Sequence, residues 1–122
     1  MAGLDLHTQN YQIIDFHQLP PINCPCGTAR RSLMSDALVP YSLHLTDISL
    51  DAKTHYHRQT TETYLFLECD ADARLELDGE QIEVRPLTAV VIYPGTRHRA
   101  VGRMKVAIIA SPKFDPDDEW VD

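Results

Sequence analysis

The chain has 122 residues, of which 43% are hydrophobic, and a formal net charge of −7. This length and composition suit one globular domain, and the acidic balance argues against nucleic acid and anionic membranes as partners, because both bind basic patches. No apolar run approaches the roughly 20 residues that cross a bilayer, and residues 1–7 lack the basic start and apolar core of a signal peptide.

The first 40 residues are predicted to form an N-terminal arm with a short edge strand at residues 11–16. Residues 19–27 contain three prolines and are expected to form an ordered, extended loop, since proline suits neither a helix interior nor a central strand. The three cysteines of the chain favour a reducing cytoplasm and no disulfide framework.

From residue 41 to residue 111, short apolar runs alternate with turn residues, and no amphipathic helix is evident. Strands are predicted at residues 41–50, 54–58, 62–68, 73–77, 81–84, 88–93 and 103–110. Asp78-Gly79 lies between two of these strands and is a strong signal for a two-residue hairpin. Regular short strands without helical spacers predict an all-β sandwich or barrel.

Residues 112–122 form an acidic tail that carries two aromatic side chains, Phe114 and Trp120. Two interpretations remain open for this segment. The aromatic rings anchor the tail against the barrel or a second subunit, or the tail is solvated with one packed ring.

Four side chains of metal-ligating type stand out: His55, His57, Glu62 and His98. On a strand, His55 and His57 point to the same side, Glu62 opens the next apolar run, and His98 follows a Pro-Gly turn. Three imidazoles and one carboxylate suit a mononuclear divalent metal, with one or two positions left for water or substrate. The alternative is a metal-free barrel whose histidines only form hydrogen bonds, but burying four ionisable groups without a metal is costly.

These residues resemble the two motifs of the cupin family over residues 41–111. His55, His57 and Glu62 match the first motif, and Gly95 and His98 match the second. Family turn residues are replaced at five positions, namely Ser49, Cys69, Leu87, Tyr93 and Gly102. The chain is most similar to small single-domain bacterial cupins of the type-2 conserved-barrel group.

The resemblance implies a double-stranded β-helix, or jelly-roll barrel, in a single domain spanning residues 1–122. The arm would occupy residues 1–40, the barrel core 41–111 and the acidic tail 112–122. All four family ligand positions are intact, which implies one divalent metal ion per chain, either iron, manganese, nickel, zinc or copper.

Two further side chains are candidates for a catalytic role. Tyr64 shares the strand side of Glu62 and would offer its hydroxyl to a substrate or a metal-bound ligand, or else fill the barrel interior. Phe66 and Glu68 are expected on the same side. His44 shares a polar strand face with Ser42 and Thr46 and would line a cavity, or else be a satisfied core histidine.

The segment of residues 24–31 is expected either to form a stiff rim over the open end of the barrel or to lie on its outer wall. Cys24 and Cys26 do not complete a zinc site by themselves, so they would face the substrate or be buried in a turn. If Arg30 and Arg31 lie on a strand, one of them faces each side. An arginine at the mouth would select a carboxylate or phosphate, whereas on the surface it would form an ion pair.

Arg97 and Arg99 flank His98 and are expected to point away from the metal.

Three functions are compatible with the ligand set. A redox metal suits a dioxygenase or oxidase, zinc suits a sugar isomerase, and the third function is a non-catalytic module that binds or senses a small ligand. We favour a metal-dependent enzyme acting on a small polar metabolite. A homodimer is expected, formed through the arm or an outer sheet face.

Overall fold

The computed structural model describes residues 10–24 and 27–122 and confirms the all-β prediction. Its strands are β1 (Ile22–Cys24), β2 (Gly27–Ser32), β3 (Ser42–Ile48), β4 (Thr61–Cys69), β5 (Arg74–Leu77), β6 (Glu80–Glu83), β7 (Ala89–Ile92), β8 (His98–Val101) and β9 (Met104–Ser111). A larger antiparallel sheet has the order β1-β2-β3-β9-β4-β7, and a smaller one has the order β6-β5-β8. The two sheets form the predicted double-stranded β-helix. Among the described residues, no helix combines the length and apolar character needed to cross a membrane.

Six of the seven predicted strands between residues 41 and 111 are present, with ends within two residues of the prediction. The strand predicted at 54–58 is wrong, because His55 and Tyr56 form only isolated bridges, to His98 and Trp120. These two partners belong to different segments, so no continuous ladder can form. Strand β8 was not predicted, since it follows the Pro-Gly turn directly and is only four residues long.

The edge strand predicted at residues 11–16 is also wrong. Residues 11–15 have no regular structure, and a 3₁₀ turn follows at Phe16–Gln18, where the Asp15 carboxylate accepts a hydrogen bond from the main-chain N–H of His17. The edge strand on this side of the sheet is instead β1, which lies within the region predicted as an extended loop and pairs with β2. Two prolines precede β1 and limit it to three residues, as expected for an edge strand.

Glycine is required where β2 packs on β3. A Cβ atom at Gly27 would lie 2.0 Å from the main-chain oxygen of Asp47, so a larger residue would push the two strands apart. This close approach fixes the register that pairs Arg30 with Leu45 and Arg31 with His44. The two arginines therefore face opposite sides of the sheet.

The core lies between the two sheets and follows the predicted alternation of β4. Glu62, Tyr64 and Phe66 are all buried. Glu68, expected on the same side, is exposed, because the pairing of β4 with β9 shifts register between Phe66 and Glu68. The largest fully buried apolar side chains are Phe66, Leu75 and Val106. The Asp78-Gly79 hairpin is confirmed, with φ values of 50° and 84° that suit its two central positions.

Candidate metal centre and cavity

The segment between β3 and β4 carries His55 and His57, and it is fastened to the start of β8. The main-chain N–H of His55 donates to His98 O at 3.1 Å, and that of His98 donates to His55 O at 2.9 Å. The turn before β8 is held by the N–H of Gly95, which donates to His57 O at 2.7 Å. Gly95 has a φ of 89°, which favours glycine at this position of the turn.

The four predicted ligand residues come together at one point. Their ligating atoms on His55, His57, Glu62 and His98 all lie within 4.8 Å of one another. Oε1 of Glu62 lies 3.0 Å from Nε2 of His57 and 3.0 Å from Nε2 of His98. His57, Glu62 and His98 are buried and His55 is partly buried. This group could bind a metal ion.

Main-chain carbonyls orient all three imidazoles. Nδ1 of His55 lies 3.0 Å from Lys53 O, Nδ1 of His57 lies 2.8 Å from Asp118 O, and Nδ1 of His98 lies 2.9 Å from Thr96 O. A carbonyl oxygen only accepts, so each Nδ1 carries the proton and donates. In a neutral imidazole, Nε2 then presents its lone pair to the centre.

The donor set fits a divalent cation. Two Nε2 lone pairs would face the same carboxylate oxygen of Glu62 at 3.0 Å, an arrangement that needs either additional protons or a cation between them. Nε2 of His57 is buried and lies only 3.0 Å from Glu62, yet no described residue partners it with hydrogen-bond geometry. Histidine ligands whose other nitrogen donates to a carbonyl are typical of metal sites.

The charges of the centre depend on one another. Burial raises the pKa of Glu62, but the close contacts and positive charge of His57 and His98 outweigh burial and hold it well below its usual range. For His57, burial lowers the pKa, yet the Glu62 carboxylate raises it to about 9. Burial and the neighbouring His98 lower the pKa of His55. Without a metal, protons on imidazole therefore balance the carboxylate.

A cavity of about 280 Å³ opens beside this group. His55, His57 and Glu62 form one end of it, and Tyr64, His44, Thr46 and Ile108 contribute walls. The remaining lining residues come from the β1–β2 hairpin, from the loop after β3 and from the tail, namely Cys24, Ala29, Arg31, Ala52, Lys53, Phe114, Glu119 and Val121. The structure thus places both predicted catalytic candidates, His44 and Tyr64, in one cavity with the ligand group.

His44 is buried and held by its neighbour on the same strand face. Its Nε2 lies 2.8 Å from Ser42 Oγ, which also accepts a hydrogen bond from the main-chain N–H of Phe114 at 2.9 Å. Since the buried Ser42 hydroxyl needs an acceptor for its own proton, it donates to Nε2 of His44. His44 then carries its proton on Nδ1. Burial and the charge of Arg31 lower the pKa of His44 to about 4, so the ring is neutral.

Tyr64 lies between the candidate metal centre and the core. Its ring centroid is 6.2 Å from that of His98, in a perpendicular arrangement, and 6.3 Å from that of Phe66. The side chain is buried and lines the cavity. This position serves both of its predicted roles, a phenol beside the metal and a large filler of the barrel interior.

The residues of the hairpin divide between the two sides of the sheet. Arg31 and Cys24 line the cavity, whereas Arg30 donates to the carbonyls of Phe16 and Leu19, at 3.1 and 2.6 Å. Cys26 lies outside the described residues. As predicted, the arginines that flank His98 point away from the centre: Arg97 pairs with Asp122, and Arg99 approaches Glu76.

The tail contributes residues that the sequence analysis did not identify. Asp118 accepts hydrogen bonds from the main-chain N–H groups of Arg58, Gln59 and Thr60, at 3.0, 3.0 and 3.2 Å. Trp120 pairs with Tyr56, so the tail is anchored on the barrel rather than solvated. The only sequence signal was the pair of tail aromatics, which marked the segment but not Asp118.

Several solved structures share this fold. A protein from Planctomyces limnophilus is 41% identical, with 91% of this chain and 96% of that chain covered and a TM-score of 0.88. The nucleoside dehydratase Pac13 from Streptomyces is 13% identical, covers 90% and 89% of the two chains, and has a TM-score of 0.76. Ectoine synthase from P. lautus is 16% identical, with 90% and 88% coverage and a TM-score of 0.73. No protein-family model and no curated protein matches the chain.

The two enzymes of low identity show the fold alone, and that fold is the cupin-type barrel which the motifs of this chain imply. The Planctomyces limnophilus protein is aligned over nearly the whole length of both chains. The chain therefore belongs to the same family as the Planctomyces limnophilus protein, a family with the cupin fold.

Proposed function

We propose that the protein is a mononuclear metal-dependent enzyme that acts on a small polar metabolite. The observation that carries this proposal is the convergence of His55, His57, Glu62 and His98 beside a cavity of about 280 Å³, which the first three of them line. That volume is slightly below the usual range for drug-sized ligands, which favours a small metabolite. Similar barrels include a nucleoside dehydratase and an ectoine synthase, so this fold supports enzymes of small molecules.

The residues of the chain would divide the work as follows. His55, His57, Glu62 and His98 would hold a divalent cation, which supplies Lewis-acid or redox chemistry when bound. The Nδ1–H of neutral His44 would donate a hydrogen bond to a substrate oxygen. The Tyr64 hydroxyl would give or take a proton beside the metal. The apolar wall at Ile108 would exclude water from that side of the cavity.

Of the two enzymatic readings, the isomerase-like one is better supported than the dioxygenase-like or oxidase-like one. A phenol that can give or take a proton, Tyr64, and a hydrogen-bond donor that can polarise a carbonyl, His44, share the cavity with the ligand set. A reaction that moves protons next to a polarised carbonyl needs such groups, whereas oxygen chemistry needs mainly open metal positions.

The second candidate is a non-catalytic module that binds a small ligand. The binding of His44 to Ser42 favours it, because this contact makes the imidazole a hydrogen-bond donor in the cavity rather than a base. Turnover of a bound ligand separates the enzyme from the module.

Metal content of protein purified without added metal tests the proposal. We expect about one divalent ion per chain, and His57→Ala should lower occupancy at least about tenfold, because it removes a ligand. Zinc would support Lewis-acid chemistry, whereas iron, manganese, nickel or copper would support oxygen chemistry. The matched control is His17→Ala, since the His17 imidazole is exposed and pairs with Asp15, away from the four candidate ligands. Equal metal content in wild type and His57→Ala, or a metal sphere that omits two or more of the four ligands, would contradict the proposal.

A further inference from the structure

We propose that Arg31 forms an oxyanion-binding subsite in the cavity, and that the substrate is therefore a small metabolite bearing a carboxylate or a phosphate group. This inference rests on the proposed function and deepens it, because it names a substrate class for the same cavity. It depends on where the Arg31 side chain lies, on what it does not contact, and on the charge of its surroundings.

Strand register places Arg31 on the inner face of the larger sheet. Arg31 lies opposite His44, which lies opposite Ile108, which lies opposite Tyr64. Directly paired residues of antiparallel strands share one face, so this row of side chains runs across four strands. All four side chains line the cavity. Arg30, one residue earlier, faces the other side.

The guanidinium of Arg31 is held in place without an acidic partner. Its Cζ lies over the Phe114 ring, 4.5 Å from the centroid, which is a cation–π contact. Ion pairs with acidic side chains are formed by Arg85, Arg97 and Arg99 but, within residues 10–24 and 27–122, not by Arg31. Its Nε is buried and has no hydrogen-bond partner in the part of the chain that the structure describes.

An arginine in this state is poised for an anion. Leaving a buried charged donor without a hydrogen bond costs free energy of folding. The chain has 18 acidic residues against 11 lysines and arginines, so carboxylates that could have paired with an arginine are abundant in it. The planar fork of guanidinium matches the two oxygens of a carboxylate or phosphate. A ligand oxyanion would satisfy the Nε donor, which has no hydrogen-bond partner among the described residues.

The charge balance of the cavity points the same way. Arg31 and Lys53 are its cationic side chains, and Glu62 and Glu119 are its carboxylates. These charges cancel, so a divalent cation beside Glu62 would leave the cavity positive, although the whole chain carries −7. A positive cavity in an acidic protein attracts anions.

The distance between the two ends of the cavity limits the size of the substrate. Strands β2 and β4 are separated by β3 and β9, which is three strand spacings, or roughly 14 Å between backbones. Arg31 and Glu62 reach into the cavity from these two strands. One small molecule could place its oxyanion on Arg31 and a second oxygen group at the metal.

Calorimetric titration of the metal-loaded protein with linear dicarboxylates, from malonate to adipate, and with phosphoglycolate tests the subsite. Wild type should bind the best-fitting dicarboxylate more tightly than its monoamide. Arg31→Gln should weaken binding of the dianion by roughly 10- to 100-fold and abolish the preference over the monoamide. Arg31→Lys, which keeps the charge but loses the fork, should fall between the two. The phosphoglycolate arm shows whether phosphate or carboxylate is preferred.

Arg30→Gln is the matched control and should bind the same probes as tightly as wild type. The proposal is overturned if none of the probes binds wild type, or if Arg31→Gln retains the preference for the dianion. Metal content of wild type and Arg31→Gln separates this outcome from failure of the metal centre. If wild type holds no metal, titration with inorganic phosphate tests the subsite independently of the metal centre. Weaker phosphate binding by Arg31→Gln than by wild type would support the proposed subsite, and equal binding would contradict it.

Discussion

The three imidazoles of the candidate metal centre take their orientation from peptide carbonyls at residues 53, 96 and 118. A carbonyl acceptor is present whatever side chain the residue carries. The tautomer of each histidine is therefore set by the path of the backbone, and substitutions at these three positions act on the centre only if they move the chain. The direction of each Nε2 follows from loop geometry.

The affinity of the centre for a metal should depend on pH through His57. The Glu62 carboxylate raises the pKa of His57 to about 9, and a ligating Nε2 must be unprotonated. Below that pH a metal must displace a proton, so we expect the apparent zinc affinity to rise by up to about tenfold per pH unit toward pH 9 and then level off. Calorimetry in buffers of different ionisation enthalpy should show release of about one proton from His57 near neutral pH.

His17→Gln serves as the control for this experiment, because the histidine is exposed and should leave the pH profile unchanged. Replacing Glu62 with Gln removes the charge that holds the proton on His57, so the profile should shift toward lower pH. A zinc affinity that stays constant between about pH 6.5 and 9 would contradict the assignment.

At the scale of elements, the tail at residues 112–122 acts as a strap across the site. The Asp118 carboxylate binds three consecutive main-chain N–H groups just after His57, while its own carbonyl accepts from His57 Nδ1. The strap also carries Phe114, Glu119 and Val121 to the cavity. A segment that is acidic in composition thus contributes both to stability and to the site.

Replacing Asp118 with Ala should lower the free energy of unfolding by about 2–3 kcal/mol, because it leaves buried N–H groups without an acceptor. The same change should weaken metal binding about tenfold or more, since the loop that carries His57 loses its anchor. Urea denaturation and metal titration measure the two effects. Asp117→Ala is the control, because its carboxylate is exposed and should change stability by less than about 0.5 kcal/mol. Unchanged metal affinity in Asp118→Ala would show that the strap does not position His57.

Sequence patterns predicted β4 and the inward direction of its candidate ligand Glu62, because side chains alternate between the two faces of every β-strand. The bulge that turns Glu68 outward left no sequence signal, since it depends on pairing with β9. The sequence did not show whether Arg30 or Arg31 faces the cavity, because the neighbouring prolines argued against a strand in this region. Asp118 could not be told from Asp117, as only the fold decides which carboxylate meets the loop.

At the scale of the whole molecule, the outer face of the larger sheet carries an apolar patch on β4, β7 and β9. Leu65, Val91 and Ile109 lie on β4, β7 and β9 and are 38%, 48% and 42% exposed. Register makes them neighbours, since Thr63 pairs with both Val91 and Ile109. We propose that this face forms the symmetric interface of a homodimer, because a contiguous apolar surface is stabilised by burial against a second copy.

Light scattering at micromolar concentration should therefore give a mass of twice 13.8 kDa. Ile109→Lys places a charge in the middle of the face and should shift the mass to that of one chain. Leu50→Lys is the matched control, because Leu50 is 65% exposed and lies outside the strands that form the face. A wild-type mass near 13.8 kDa would contradict the proposal.

Because side chains alternate between the two faces of β4, the strand tolerates insertions and deletions at some positions but not at others. Losing one residue between Glu62 and Phe66 would put these two side chains on opposite faces of the sheet, so the carboxylate could not reach the centre while Phe66 stays in the core. The bulge lies beyond this stretch, so a residue gained or lost there reverses only Glu68 and Cys69. Insertions and deletions at that point leave the site intact, whereas the same event four residues earlier removes it.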